Sequence, residues 1–141
     1  MFKKILVPVD LSEAEITKSA LDAAKGLAAS WNADARLVYV MPVVPASYME
    51  YVAPEFETQE KERVETELRD LSAGLGLPDA RVSIAVRHGG VYHEVVAEAG
   101  ECGADLIICG SHWPTLATYL VGSFATTIVR HATCSVLVIR S

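Results

Sequence analysis

The residues best suited to chemistry stand where apolar runs stop. Asp10 follows the run from Lys4 to Val9, Gly110-Ser111-His112 follows Asp105 to Cys109, and Gly122-Ser123 immediately precedes the segment Phe124 to His131. A glycine lets the backbone come close to an anion, and a helix start offers free amide groups at the positive end of the dipole. Gly122-Ser123 is therefore a candidate phosphate seat, although such a pair also serves as an ordinary helix cap. Asp10, a lone carboxylate, suits either a hydrogen bond to a polar ligand or a cap on the helix that follows. Neither a G-x-G-x-x-G turn nor a G-x-x-x-x-G-K-[ST] loop follows the first run, which excludes a dinucleotide enzyme and a P-loop NTPase. From Leu106 to Val129 there is no Lys, Arg, Asp or Glu. Phosphoryl-transfer enzymes supply basic clamps and a positioned base, so no catalytic residue is assigned and fast phosphoryl chemistry is not expected.

The three cysteines, Cys102, Cys109 and Cys134, form no Cys-x-x-Cys pair and have no His at zinc-finger spacing. No metal site is assigned, and each cysteine reads as a small apolar side chain in a reduced, cytoplasmic compartment. The apolar run at the N-terminus stops far short of a signal peptide or a membrane span. With 141 residues, 51% of them hydrophobic, one domain over residues 1–141 is expected. A net charge of -6 with scattered Lys and Arg argues against a nucleic-acid partner.

Positioning these residues requires an alternation of strands and helices, the mark of a parallel sheet covered on both faces. Strands are expected at Lys4–Val9, Arg36–Met41, Arg81–Arg87, Asp105–Cys109 and Ser135–Arg140, the third towards an edge because it alternates more. The expected architecture is an open, doubly wound, five-stranded parallel sheet of Rossmann-like order 3-2-1-4-5. Ser12-Glu13-Ala14-Glu15 reads as a capping box, followed by an apolar stripe of Ile16, Ala20, Ala23 and Leu27. A second stripe is Val64, Leu68, Leu71 and Leu75, with Lys61/Glu65 and Glu65/Arg69 pairing on its wet side and Gly76 and Pro78 ending the helix. Further helices are expected at Val91–Gly100 and Phe124–His131. The connection from Pro42 to Thr58 is long, and its Tyr48, Tyr51 and Phe56 could cover a ligand, meet a partner subunit or pack on the domain itself.

Open parallel sheets bind ligands beyond the carboxyl ends of their strands, where strand order reverses. Right-handed crossovers bring the first and fourth strands together there, with Asp10 opposite Gly110. In order, Ile5-Leu6-Val7-Pro8-Val9-Asp10, Gly110-Ser111-His112, Gly122-Ser123, Val129-Arg130-His131-Ala132 and Ser135 to Arg140 resemble the universal stress protein family over nearly the whole chain. Nucleotide-binding members carry G-x2-G-x9-G-[ST] after the fourth strand. Here Gly110 and Gly122-Ser123 match its ends, Trp113 stands in place of the second glycine, and the interval is one residue shorter, similar to a Gly-Ser-x-x-Pro variant at Gly110 to Pro114.

The resemblance implies an adenine nucleotide, ATP or else AMP or ADP, with or without Mg2+, bound across the strand ends. Asp10 would meet the ribose or adenine and the Val40 backbone the adenine edge, with Met41 beside it, while Pro8 and Val9 would form an apolar wall. Ser111 and His112 would approach phosphate, as would Gly122, Ser123 and Phe124 at the helix start. Phosphates would rest on backbone amides, hydroxyls of Ser111, Ser123 and Thr126, and a metal ion. The resemblance also points to a homodimer through the C-terminal strand, or a tetramer. The leading expectation is a nucleotide-binding regulatory protein of the stress response; a protein-interaction module with a vestigial pocket and a slow ATPase remain as alternatives.

Overall fold

The computed structural model describes residues 1–43, 46–51, 53–111 and 123–140. Five parallel strands make one sheet: β1 (Lys4–Pro8), β2 (Asp34–Met41), β3 (Val82–His88), β4 (Leu106–Ser111) and β5 (Ser135–Arg140). Their order is β3-β2-β1-β4-β5, as expected, with β3 and β5 at the edges. The helices are α1 (Ala14–Trp31), α2 (Ala46–Met49), α3 (Phe56–Ala73), α4 (Val91–Cys102) and α5 (Ser123–His131). The Pro42–Thr58 connection is thus shorter than the sequence suggests, because α2 lies within it and α3 already begins at Phe56.

Alternation along the central strands divides the core into two layers. Ile5, Val7, Leu37 and Ile108 meet α1 and α3 on one face, while Leu6, Val38, Val40 and Ile107 meet α4 and α5 on the other. Fully burying one such side chain stabilises the fold by roughly 1.5–3 kcal/mol. Central strands covered on both sides must therefore read as unbroken apolar runs.

The start of α1 departs from the sequence reading. The helix begins at Ala14, its capping residue is Glu13, and no side-chain cap hydrogen bond forms, so Ser12 and Glu15 do not make a capping box. Ser12 is instead held by Asp10, as described below. The buried face is Thr17, Ala20, Leu21, Ala24 and Ala28, turned from the expected stripe; Ala23 and Leu27 lie only at its margin. Small alanines let the helix sit close to the sheet and are also the best helix formers. The α3 stripe and ion pairs hold, with Val64 and Leu68 buried, Leu71 at the margin, and Glu65 pairing with Lys61 at 3.9 Å and Arg69 at 3.6 Å, but the helix ends at Ala73 with Gly74 as its cap rather than at Gly76, so the buried Leu75 lies just past it.

Between the edge strand β3 and α4 the contact is ionic. Glu98 is only 5% exposed and accepts from Arg36 Nε at 2.6 Å and Arg87 Nη1 at 2.7 Å; Arg87 also reaches Glu94 at 3.0 Å and Glu101 at 2.7 Å. Burial works to raise the Glu98 carboxyl, but the two arginines outweigh it and hold it below the usual value. A buried charge of this kind is tolerated only when paired and hydrogen-bonded, and here it ties α4 to β2 and β3.

Candidate functional site

β1, β2 and β4 run parallel and side by side, so Pro8, Met41 and Ser111 end on one edge of the sheet. β1 and β4 are paired only at Ile5↔Leu106 and Leu6↔Ile107. Beyond that point they no longer pair, which is the opening expected where connections leave for opposite faces.

Gly110 lies on β4 beside the first turn of α1. A Cβ there would stand 2.7 Å from the Ile16 carbonyl oxygen and closer still to Ile16 Cγ2. The missing side chain therefore admits α1 against the sheet, a packing reason for glycine that the sequence reading did not weigh. Ser111, the next residue, is buried.

The turn between β1 and α1 is tightly organised. Asp10 Oδ1 accepts from the Ser12 amide at 2.9 Å and the Ser12 hydroxyl at 2.6 Å. Asp and Asn favour this short turn because their side chains reach the backbone two residues on. The Asp10 amide donates to Thr17 Oγ1 at 3.2 Å, and its carbonyl accepts from Thr17 Oγ1 at 2.9 Å and from the Glu13 amide at 3.1 Å. Thr17 is a buried residue missed in the sequence, where it looks like one polar residue within an amphipathic helix. It latches Asp10 to α1, and the Ser12 bonds engage only Oδ1 of the exposed Asp10 carboxylate.

On the other side of the opening, the ladder between β1 and β2 reaches Pro8↔Val38, and the Val9 amide donates to the Val38 carbonyl at 2.8 Å. Alternate residues of a strand turn their amide and carbonyl to opposite neighbours. Met41 turns towards β3, accepting from the Gly89 amide at 3.1 Å, so Val38 and Val40 turn towards β1. Continuing the register by two residues sets Val40 level with Asp10, past the last rung. The Val40 backbone thus offers one donor and one acceptor towards the space where β1 has turned away, while its side chain is anchored in the α4-side core.

The other predicted residues are placed as follows. Val9 has its side chain buried in the α1-side core, and Pro8 and Met41 are half-buried at the edge. Phe124 packs on the α4-side core, so only its backbone at the start of α5 is offered to a ligand. His112 and Gly122 lie outside the described residues, as does Trp113; Ser123 is the first residue of α5. Tyr48, Tyr51 and Phe56 are exposed at 61%, 84% and 42%, which leaves them uncovered by their own domain. A groove of about 560 Å³ between α1 and α3, lined by Leu21, Leu71 and Leu75 among others, shares only Asp10 with the predicted residues and is a separate feature.

Arg130 and His131 lie in the last turn of α5, where positive charge complements the helix dipole. Among the described residues, no group of three His, Cys, Asp or Glu is arranged to hold a metal ion. Among the described residues this edge of the sheet offers a carboxylate at Asp10 and a backbone donor and acceptor at Val40.

Comparison with known proteins agrees with the fold. The model of the universal stress protein family matches residues 1–140. Universal stress protein G of Salmonella typhimurium is 35% identical over 144 aligned residues, covering 99% of this chain and 100% of that one. The structure of universal stress protein UspA from Lactobacillus plantarum superposes with a TM-score of 0.77 at 26% identity, over 98% of this chain and 97% of that chain. A universal stress protein solved in complex with cAMP shares the fold, with a TM-score of 0.69 and 22% identity over 99% and 97% of the two chains. With a parallel sheet of order β3-β2-β1-β4-β5, and with the family model matching residues 1–140, this chain belongs to the universal stress protein family.

Proposed function

We propose that the protein is a regulatory module of the stress response that holds an adenine nucleotide, ATP or its AMP or ADP counterpart, across the carboxyl edge of its sheet. The observation that carries the reading is the pairing of Asp10 with Val40. The Val40 amide and carbonyl, level with Asp10 beyond the last rung of β1, match the donor and acceptor on an adenine edge. The second Asp10 carboxylate oxygen, which Ser12 does not engage, matches a ribose hydroxyl or an adenine amine. Phosphates are assigned to Ser111 and to the start of α5 at Gly122, Ser123 and Phe124, with His112 beside them and Mg2+ as an optional companion; a helix start favours negative charge. The same chemistry supports the reading against a phosphoryl-transfer enzyme, since the segment from Leu106 to Val129 contains no charged side chain.

The module is proposed to act in the cytoplasm as a single domain and as a homodimer. β5 pairs with β4 on one side only, and Val136, Leu137, Val138 and Ile139 are all half-exposed. An apolar edge strand is a liability unless a second strand covers it, and a second copy of β5 supplies one. Among the described residues no helix is long and apolar enough to cross a membrane.

The test is direct. Protein purified without added nucleotide is denatured, and the released small molecules are separated by ion exchange with ultraviolet detection. Titration calorimetry with ATP and adenosine follows on the parent, on Asp10→Ala and on Gly122→Val. Loss of the Asp10 hydrogen bond should weaken both ligands by roughly 1–3 kcal/mol, and Gly122→Val should weaken ATP far more than adenosine. No retained nucleotide together with no heat on titration would overturn the reading in favour of an interaction module with a vestigial pocket. Release of ADP and phosphate faster than from the Asp10→Ala variant would make the protein a slow ATPase.

A further inference from the structure

The three cysteines, alike in sequence, are not alike in the fold. Cys109 is buried within β4, and burial pushes its thiol up to about 11, so it is both inaccessible and poorly ionised. Cys102 and Cys134 are half-exposed free thiols. Both pack against the same α4-side core cluster, together with Ala104, Ala132 and Val136.

Their placement follows from the strand register. Leu106 pairs with Ser135 at the first rung of β4 and β5, so Cys134, one residue earlier, stands level with Asp105. Cys102 is the last residue of α4, and the chain turns back from it through Gly103 in the left-handed conformation (φ 73°) to reach Ala104 and Asp105. Burial raises the Cys134 thiol, a backbone hydrogen bond works against it, and Asp105 and Cys102 add to the rise. Neither residue is held in a strand ladder: one closes a helix and the other lies in a bend before β5. A disulfide needs Cα atoms roughly 4.4–6.8 Å apart, and the ends of elements have more freedom than ladder residues to meet that demand.

We propose that Cys102 and Cys134 are a reversible oxidation site, forming a disulfide that fastens the end of α4 to the start of β5. The oxidant is a low-molecular-weight disulfide. One cysteine thiolate attacks it, forming a mixed disulfide and releasing one thiolate of the reagent. The second cysteine thiolate then attacks the protein-bound sulfur and expels the other. The two cysteines lose two protons and two electrons, and the reagent leaves as two thiols, so the reverse reaction restores the reduced protein. The bridge closes a loop containing β4 and α5 and makes the attachment of β5 covalent, which restrains the unfolded chain. The site is independent of nucleotide binding.

Folded protein is equilibrated with oxidised and reduced glutathione at several ratios and quenched with acid. Intact mass, peptide mapping and thermal melting then read the result. The expected result is loss of two hydrogens, mapping to a Cys102–Cys134 peptide, one thiol left at Cys109, and a melting midpoint raised by roughly 5 °C or more. Cys109→Ser should behave as the parent. Cys102→Ser and Cys134→Ser should instead stop at the mixed disulfide with glutathione and show no rise. Retention of both hydrogens under oxidising ratios, a bridge mapping to Cys109, or a bridge between two copies on a non-reducing gel would each overturn the proposal.

Discussion

Replacing Gly110 by alanine tests how β4 and α1 jointly shape the cleft. The added Cβ would stand 2.7 Å from the Ile16 carbonyl oxygen, a distance a real Cβ does not tolerate from backbone, and in tight contact with its carbonyl carbon at 3.2 Å. Ile16 Cγ2 can rotate away, but the carbonyl belongs to the first turns of α1, so the helix itself must shift. Overpacking of this kind costs about 1–3 kcal/mol. The lower backbone freedom of alanine in the unfolded chain opposes this by about 0.4–1 kcal/mol, which leaves a net loss of roughly 1–2 kcal/mol. With a urea slope of about 1–3 kcal/mol per molar, the unfolding midpoint should fall by about 0.5–1 M.

A moved α1 also carries Thr17 away from Asp10, so nucleotide binding should weaken along with stability. Adding Ile16→Ala removes only the side-chain part of the clash and should restore only part of the loss. If Gly110→Ala keeps the parent's urea midpoint, or if Ile16→Ala restores it completely, backbone contact between α1 and β4 is not the reason for glycine here.

Two further outcomes follow from the rest of the structure. Glu98→Gln should cost roughly 1–3 kcal/mol at neutral pH, because Arg36 and Arg87 lose their shared carboxylate. Since the Glu98 carboxyl is lowered on folding, its ionic contribution is fully present above the ordinary value of 4.5 and fades as pH falls towards the folded value. Urea midpoints of parent and variant should therefore converge in acid; a constant gap from pH 7 to pH 3 would refute the linkage. Replacing Leu137 and Ile139 by lysine at the β5 edge should give monomer or insoluble protein, and an unchanged dimer mass by light scattering with native circular dichroism would rule out pairing through β5.

The parallel sheet and its order were legible in the residues because strands covered on both faces must be apolar throughout, as Ile5 to Pro8 and Leu106 to Cys109 are. Asp10, Gly110 and Ser111 could be picked out as edge residues for the same reason: each stands where an apolar run stops. The start of α1 was not legible. Ser12 and Glu15 have capping-box spacing, but the Asp10 carboxylate competes for Ser12 and wins, since a side chain two residues away reaches it without any helix present.

Tertiary packing alone decided which role Gly110 plays, because the sequence cannot reveal that the Ile16 carbonyl lies against it. It also decided that the Val40 backbone faces a vacated lane, which depends on where β1 stops relative to β2. The cysteines make the same point. All three sit in apolar surroundings by sequence, but the register of β4 against β5 buries Cys109 and brings Cys102 and Cys134 to one cluster at the sheet's amino edge. Local residue types determined which elements form, through periodicity and propensity. Where two elements touch is a property of chain segments far apart in sequence, and only the assembled sheet specifies it.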